Sequence, residues 1–452
     1  MKTGFTDAQL ADPHIRAAND IIRDCVHCGF CAPACPTYVM TGDELEGPRG
    51  RIWLIRDLLG GGGEGSADVI EGSAGSHEDA PPLELDSGVV RHLDHCLGCL
   101  ACMPACPSGV DYRGLIGIAR EAVEARVKRP FADRKLRAVL GRVLPDPLWF
   151  GRLMRLARLF AWLRFATAGR IAAALMLAKG ARVRAGAAPG VYAPDGTPQG
   201  RVAMITGCAQ SVLAPDINEA LIRILNRTGL EVVVLSGAAC CGALNEHLGQ
   251  GEAARAHARR VIAGIIEEAE GDGLDAVISS ASGCGTLMKA YGGLLVGDDQ
   301  WEGPARRAAR LVRDAGEYLA GLDLDFPEVD KSRRIAWQAP CSLANAQGGA
   351  AYGAGLLARA GFDVVEPPSG PVCCGSAGTY NLMEPENATR LGAEKARLLD
   401  QLEADAVASS NLGCMMQLSP RLASPTVHLV ELLDWAQGGP LPRVLREGTK
   451  DW

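Results

Sequence analysis

The sequence lacks the features that mark a nucleic-acid-binding, secreted or membrane-spanning protein. Its net charge is -7, from 46 basic and 53 acidic residues, so no basic excess indicates a nucleic-acid partner. No window approaches the roughly 18 apolar residues that a membrane-spanning helix requires. Residues 1–15 are polar and lack the apolar stretch of a secretory signal. We therefore expect a chain in the reducing cytoplasm, either free or bound peripherally to a membrane.

The chain also lacks a credible binding motif for a flavin or a nicotinamide. The spacing Gly60-x-Gly62-x-x-Gly65 formally matches the dinucleotide fingerprint. A functional fingerprint follows a strand and opens a helix. This one follows a helical pattern and lies in a low-complexity tract, residues 60–82, so we interpret the match as accidental. The sequence therefore predicts no hydride acceptor on this chain.

Cysteine, in contrast, is abundant, with sixteen residues in 452. Eight of them form two runs, Cys25-Val-His-Cys28-Gly-Phe-Cys31-Ala-Pro-Ala-Cys35-Pro36 and Cys96-Leu-Gly-Cys99-Leu-Ala-Cys102-Met-Pro-Ala-Cys106-Pro107. Both fit the C-x2-C-x2-C-x3-C-P pattern of two-cluster ferredoxins, in which the fourth cysteine ligates the other cluster. The alternative is zinc, which C-x2-C pairs also bind. A zinc site does not require a third and fourth cysteine at this spacing, and the chain contains two such runs.

The pattern predicts two [4Fe-4S] clusters with crossed ligands. We expect the first cluster to be held by Cys25, Cys28, Cys31 and Cys106. We expect the second cluster to be held by Cys96, Cys99, Cys102 and Cys35. The basic residues Arg49 and Arg51 follow the first run. They could tune the negatively charged cluster or belong to a solvated turn before a helix.

Length and composition indicate several domains. We predict a mainly helical ferredoxin-like domain at residues 1–130, with a flexible insertion at 60–82. Residues 131–200 form a basic amphipathic segment and a linker. Within it, residues 141–184 carry nine Lys and Arg against one Asp, interleaved with Leu, Trp and Phe. This composition suits either a membrane surface or acidic partner, or a helix packed on its own protein.

From residue 201 onward the chain repeats itself, which predicts two related domains at 201–330 and 331–452. Each half has a cysteine, a Cys-Cys-Gly 32 positions later, and a final cysteine after a similar phrase. The two sets are Cys208, Cys240, Cys241, Cys284 and Cys341, Cys373, Cys374, Cys414. Short apolar strands alternate with helices, which predicts two α/β halves with parallel sheets. Because sites in such folds gather at the carboxyl ends of strands, we expect each half to bring its four thiols together.

The repeated pattern resembles the cysteine-rich CCG domain of heterodisulfide reductase and its relatives. In that family the motif typically ends in C-x-x-C and can ligate a non-cubane iron-sulfur cluster. Here the final positions are Leu287 and Gln417, so one ligand is missing in each half. Each set of four thiols is therefore a candidate site for a further cluster or metal, a metal-free thiol site, or a vestigial one.

Taken together, the two ferredoxin runs and two CCG halves resemble the iron-sulfur subunit of bacterial glycolate oxidase (glycolate dehydrogenase). The resemblance rests on these phrases: Cys25-Val-His-Cys28-Gly-Phe-Cys31, Gly42-Asp-Glu-Leu-Glu-Gly-Pro-Arg-Gly-Arg51, Cys106-Pro-Ser-Gly-Val, Ala281-Ser-Gly-Cys284-Gly and Cys373-Cys-Gly-Ser-Ala-Gly-Thr-Tyr380. It implies an electron carrier without catalytic residues of its own, in an acceptor-dependent 2-hydroxy-acid oxidoreductase. Partner subunits carrying FAD would oxidise glycolate, and also D-lactate, and electrons would pass towards quinone at the inner face of the inner membrane.

Other functions stay open at this stage. The same architecture is shared by iron-sulfur subunits of lactate-utilisation enzymes and of anaerobic glycerol-3-phosphate dehydrogenase. A CCG site could instead perform thiol–disulfide chemistry as in heterodisulfide reductase, which would need a reactive thiolate. A redox sensor is a further alternative. Two cross-ligated clusters favour electron relay over sensing.

Overall fold

The computed structural model describes residues 1–60, 88–162, 169–171, 174–175, 186–327, 333–368 and 372–447. Most of the predicted insertion at 60–82 and parts of the basic segment at 141–184 lie outside these ranges. Within them, the amino-terminal part is helical and the carboxyl-terminal part contains two sheets flanked by helices. The prediction of a helical domain followed by two α/β halves is confirmed.

The amino-terminal part is built from short helices around the two cysteine runs. They are α1 (Asp7–Leu10), α2 (Pro13–Asp24), α3 (Pro36–Thr41), α4 (Pro48–Leu58), α5 (Gly88–Asp94), α6 (Tyr112–Arg126), α7 (Phe131–Val143) and α8 (Pro147–Leu159), with a 3-10 turn at Glu44–Glu46. Several begin at a proline, because the first position of a helix needs no backbone N–H. Apolar residues of α2, α4, α5 and α6 form one core together with Cys25, Cys96 and Cys102.

The first sheet has the strand order β1-β3-β2-β4-β5. Its elements are β1 (Gly190–Tyr192), β2 (Gly200–Met204), α9 (Gln210–Leu213), α10 (Pro215–Arg227), β3 (Leu230–Val234), α11 (Ala243–His247), α12 (Gly251–Glu270), β4 (Ala276–Ser279), α13 (Ser282–Met288), α14 (Tyr291–Leu294), α15 (Glu302–Leu311), β5 (Val312–Asp314) and α16 (Ala315–Ala320). Strands β2 to β5 are parallel, as predicted. Strand β1, inside the predicted linker, pairs antiparallel with β3 at the sheet edge.

The second sheet has the order β7-β6-β8-β9 and is wholly parallel. Its elements are β6 (Arg334–Trp337), α17 (Cys341–Gln347), α18 (Ala350–Arg359), β7 (Asp363–Val365), α19 (Tyr380–Met383), α20 (Pro385–Asp400), β8 (Ala406–Ser409), α21 (Leu412–Leu418), β9 (Thr426–His428), α22 (Leu429–Ala436) and α23 (Arg443–Glu447). Central strands such as β8 are buried throughout, because helices cover both faces of a parallel sheet.

The two halves pack against each other through a shared apolar core. Residues of both sheets, including Val202 and Trp337, belong to this core, and so do Phe150 and Met154 of α8. Buried Asp434 of α22 accepts hydrogen bonds from Arg223 and Arg227 of α10, at 2.6 Å each. Because Phe150 and Met154 belong to the shared core, α8 of the basic segment is anchored on one side to the repeated halves.

Packing around Trp337 provides a sharp test of this core. A Cβ at Gly353 of α18 would lie 2.1 Å from Cζ2 of the fully buried Trp337. We expect Gly353→Ala to destabilise the protein by about 1–3 kcal/mol, because an overpacked core must shift. At Gly355 on the exposed side of the same helix nothing lies within 4 Å. Gly355→Ala should raise stability by about 0.5–1 kcal/mol. Thermal unfolding of both variants checks this, and equal midpoints would contradict the packing.

Candidate iron-sulfur site

One cavity brings together cysteines from both ferredoxin-type runs. It is lined by Cys25, Cys28, Cys31, Cys102 and Cys106. The four residues predicted as ligands of the first cluster are all among them. The fourth cysteine of the second run therefore lies with the first three of the first run, as a crossed arrangement requires.

A second cavity shows the reciprocal arrangement. It is lined by Cys35, Cys96, Cys99 and Cys102. Cys35 directly precedes Pro36, the first residue of α3, so the helix starts at that point and carries the chain away. The cavity holds all four residues predicted for the second cluster, and Cys102 lines both cavities. A donor set of four cysteines fits a [4Fe-4S] cluster at each place.

The two runs follow the same backbone path around these cavities. Two positions after its first cysteine, each run adopts a left-handed conformation, with φ of 61° at His27 and 62° at Gly98. Four positions after, it does so again, with φ of 84° at Gly29 and 59° at Leu100. Left-handed residues turn the chain sharply, and they are uncommon outside glycine. Two of the four are not glycine, so the turn is imposed by the surrounding structure and not by local preference.

Arg51 is a buried cation beside the second cavity. Its guanidinium donates to Thr37 Oγ1 at 3.1 Å, to Glu46 Oε2 at 2.6 Å and to the His92 carbonyl at 2.6 Å. It also lies 3.8 Å from Cys35 Sγ. Burial opposes its charge, but the neighbouring Cys96, Tyr112, Cys35 and Glu46 together outweigh burial and raise the pKa of Arg51. The tuning interpretation of Arg51 is therefore supported, whereas Arg49 pairs with the partly exposed Glu44.

Sequence reasoning did not identify the polar network behind Arg51. Glu46 accepts hydrogen bonds from Nδ1 of His92 and Nδ1 of His95, at 2.8 Å each. The hydrogen bond between Glu46 and His95 raises the pKa of His95, although burial opposes the rise. Thr37 Oγ1 lies 3.2 Å from Cys35 Sγ, and the Tyr112 hydroxyl lies 3.9 Å from Cys96 Sγ. Sequence position could have indicated two members of this network, because Thr37 and His95 each lie within two residues of a cysteine.

The repeated halves also bring their thiols together. In the first half Cys208 contacts Cys240, and Cys241 contacts Cys284. These residues follow β2, β3 and β4, so they meet at the carboxyl ends of parallel strands. In the second half Cys341 Sγ lies 4.0 Å from Cys373 Sγ. There Cys374 contacts both Cys373 and Cys414.

The positions of the missing fifth ligands are filled by structural side chains. Leu287 is buried in the core of the first half. Gln417 is buried as well, and its amide donates to the Ala388 carbonyl at 3.0 Å. Among the described residues, no three or more His, Cys, Asp or Glu side chains are placed to hold a single metal ion. In a cubane cluster, by contrast, each thiolate binds a different iron.

Helix α8 carries an apolar face that the rest of the described chain does not cover. Phe150 and Met154 face the shared core, whereas Leu148, Trp149 and Leu156 are more than half exposed. Exposed arginines at 152, 155 and 158 accompany them. Isolated apolar residues on a surface are ordinary, but a contiguous patch indicates an interaction site. No helix in the described ranges is long and apolar enough to cross a bilayer.

Sequence comparisons agree with these observations. A 4Fe-4S dicluster domain profile matches residues 24–110, and a cysteine-rich domain profile matches 202–289 and 335–419. The chain is 34% identical to the glycolate oxidase iron-sulfur subunit of Escherichia coli (strain K12), over 96% of this chain and 99% of that protein. It is 30% identical to a probable glycolate oxidase iron-sulfur subunit of Bacillus subtilis (strain 168), over 92% and 94%.

A more distant relative shows how widely the architecture is used. The chain is 26% identical to one subunit of the fumarate reductase (CoM/CoB) of Methanothermobacter marburgensis, over 92% of this chain and 72% of that protein. The eight cysteines of the dicluster domain imply two [4Fe-4S] clusters. With its dicluster domain and two cysteine-rich domains, the chain belongs to the family of glycolate oxidase iron-sulfur subunits.

Proposed function

We propose that this chain relays electrons within a glycolate-oxidising complex, from FAD on partner subunits towards quinone. The observation that carries the proposal is the pair of cavities, each lined by one complete set of predicted cluster ligands. Two clusters in adjoining cavities that share Cys102 form a short path for single electrons. Relatives named as glycolate oxidase iron-sulfur subunits over nearly the full length support the substrate.

The ligand assignment follows the crossed pattern. Cys25, Cys28, Cys31 and Cys106 hold the first cluster. Cys96, Cys99, Cys102 and Cys35 hold the second cluster. When bound, each cluster accepts and releases one electron at a time. Arg51, Thr37 and Tyr112 supply a positive charge and hydrogen bonds near the sulfurs of the second cluster, and such contacts tune its potential.

Oxidation of glycolate itself is assigned to the partner subunits. Removing two electrons from a 2-hydroxy acid as a hydride needs an acceptor such as a flavin. The Gly60-x-Gly62-x-x-Gly65 spacing, which formally matches the dinucleotide fingerprint, lies in a low-complexity tract, and the chain has no credible flavin or nicotinamide motif. The chain therefore acts downstream of substrate oxidation. The division of labour supports an electron-carrying subunit rather than a complete enzyme.

Iron content tests the number of clusters. The protein purified without oxygen is expected to contain about eight iron and about eight acid-labile sulfide per chain, the content of two cubes. Metal analysis and sulfide determination on one sample check this. Zinc in place of iron would contradict the assignment. Iron near twelve would show that a cysteine-rich half also holds a cluster.

Of the two cysteine-rich halves, the second is the better candidate for such a third centre. Lys395 of α20 is only 1% exposed, and its charge interacts most strongly with the sulfur of Cys374, followed by that of Cys414. Burial lowers the pKa of this lysine. A buried cation is stabilised by a nearby negative charge, which thiolates bound to a metal provide. The equivalent position in the first half, 133 residues earlier, is Ile262.

We further propose that α8 binds the cytoplasmic face of the inner membrane. Its exposed Leu148, Trp149 and Leu156 can enter the boundary of the bilayer, and the arginines beside them can face anionic headgroups. The Arg152 guanidinium already stacks 5.0 Å from the Trp149 ring centre. Such contact would place α8 at the membrane surface without crossing the bilayer.

Salt dependence tests this membrane contact. Binding to vesicles that contain anionic phospholipid is expected to fall as salt rises from about 0.1 to 1 M, because the Debye length shortens from ~10 to ~3 Å. Glu substitutions at Arg152, Arg155 and Arg158 should weaken binding at low salt. A matched control reverses three exposed arginines of α15, Arg306, Arg307 and Arg310. Co-sedimentation measures both variants, and equal binding would return α8 to a purely structural role.

A further inference from the structure

A third cavity lies between the dicluster region and the two cysteine-rich halves. Its volume is about 330 Å³, within the range of roughly 300–1,000 Å³ typical of small-molecule sites. One wall is apolar and comes from α7 and α8, through Leu140, Val143, Phe150 and Met154. The lining also includes the cysteines of both cysteine-rich halves. The cavity is large enough, and apolar enough on one side, for a ring-shaped organic molecule.

The cavity adjoins the proposed second cluster. Gly98 and Cys99 of the second cysteine run form part of its lining. Asn345 of α17 holds the backbone at Cys99 in place, because its Nδ2 donates to the Cys99 carbonyl at 3.0 Å. A molecule in the cavity would therefore lie next to a ligand of a one-electron carrier.

His247, the last residue of α11, supplies an unused hydrogen-bond donor to the cavity lining. Arg120 Nη1 lies 3.2 Å from His247 Nδ1, and Arg120 Nη2 donates to the Cys96 carbonyl at 2.5 Å. A guanidinium can only donate, so Nδ1 accepts and the ring hydrogen sits on Nε2. Among the described residues none accepts a hydrogen bond from that Nε2–H. Burial, then the charges of Arg120 and Arg113, lowers the pKa of His247 to about 3, so the ring is neutral.

The cavity also lies beneath the exposed face of α8. Leu153 lines the cavity and is itself 43% exposed, next to the surface that carries Leu156. One side of the helix thus faces the cavity while the other faces outward. Leu153 thus connects the lining of the cavity with the exposed apolar surface of α8, along which a lipid-soluble molecule would approach.

We propose that this cavity binds a quinone, with His247 Nε2–H donating to one of its carbonyl oxygens. Apolar walls suit the ring, the donor suits a carbonyl, and Cys99 brings the electron source alongside. This inference rests on the proposed function and adds a location and a positioning residue to it. Reducing a quinone to a quinol takes two electrons and two protons. The cluster that Cys35, Cys96, Cys99 and Cys102 would hold would supply the electrons one at a time, and water would supply the protons.

Photolabelling tests the location. The flavin-containing complex is incubated with an azido derivative of a short-chain benzoquinone, irradiated and digested. Labelled peptides are expected to come from residues 139–154, 240–247 or 373–382, and unmodified quinone should suppress the labelling. Label confined to partner subunits, or no label that quinone suppresses, would overturn the proposed site.

Substitution of His247 tests the donor. His247→Leu is expected to raise the KM for the short-chain quinone roughly 3- to 10-fold, the effect of losing one hydrogen bond. His247→Gln keeps an N–H donor and should restore most of the affinity. The iron-sulfur EPR signals and glycolate-dependent reduction of a water-soluble dye should be unchanged in both. His14→Gln, on α2, serves as the control.

The outcomes separate the two proposals. An unchanged quinone KM in His247→Leu, with intact clusters, would overturn the role of His247. Dye reduction without any quinone reduction by the unaltered complex would instead contradict quinone as the acceptor, which belongs to the proposed function. Labelling in the cavity with a normal KM in His247→Leu would retain the site and remove only the hydrogen bond.

Discussion

Replacing Cys28 or Cys99 with Ala is expected to abolish glycolate-driven quinone reduction by the assembled complex while glycolate still reduces the flavin. Cys28 lines the first cavity and Cys99 the second, so each variant breaks a different cluster. In the proposed relay both clusters lie downstream of substrate oxidation, so losing either should interrupt the path of electrons. Stopped-flow absorbance of the flavin, together with steady-state quinone reduction, measures the two steps in one preparation.

The same experiment has an internal and an external control. Flavin reduction in each variant shows that the substrate site is intact. Gly355→Ala, on the exposed side of α18, should keep quinone reduction at the level of the unaltered complex. Quinone reduction that survives both cysteine substitutions would show that electrons bypass this chain.

The chain without its partners should oxidise neither glycolate nor D-lactate with any acceptor dye. The physical reason is that iron-sulfur clusters accept single electrons and no hydride. Steady turnover of glycolate by a flavin-free preparation would contradict the relay function. The thiols of the cysteine-rich halves would then be the first candidates for a catalytic site. Among them, hydrogen bonds from Cys208 and Cys241 lower the pKa of Cys240 to about 3.

Exchanging the fourth cysteine of each run is expected to damage the cluster of the other run. Cys35→Ser should remove or alter the EPR signal of the cluster held by Cys96, Cys99 and Cys102, because Cys35 lines their cavity. Cys106→Ser should act on the cluster held by Cys25, Cys28 and Cys31. The two variants therefore form a matched pair with opposite expected results.

Distinguishing the two clusters requires a reference for each signal. Cys28→Ala and Cys99→Ala provide it, since each removes a ligand from within one run. The spectrum of Cys35→Ser should then resemble that of Cys99→Ala, and Cys106→Ser that of Cys28→Ala. The reverse correspondence would show that each run holds its own cluster with all four of its cysteines.

Much of the fold could be predicted from local patterns. The sequence predicts short apolar strands alternating with helices, and β8 (Ala406–Ser409) is such a strand, because a short run of apolar residues between a helix and a polar turn has few other solutions. The carboxyl ends of parallel strands meet at one edge, so the thiols after β2, β3 and β4 were expected together and lie together. Strand β1 was not expected, since three residues in a Gly- and Pro-rich stretch carry no periodic signal.

The sequence by itself determined the two cysteine runs, their likeness to dicluster proteins and the repeat of the cysteine-rich halves. These features depend on residue type and spacing along the chain, which are readable without coordinates. Only the tertiary structure decided that Arg51 is buried against Cys35, that Asn345 reaches Cys99 and that His247 lines a cavity beneath α8. Asn345 and Cys99 are 246 positions apart. Such contacts arise from how whole domains pack, and no short pattern in the sequence encodes that packing.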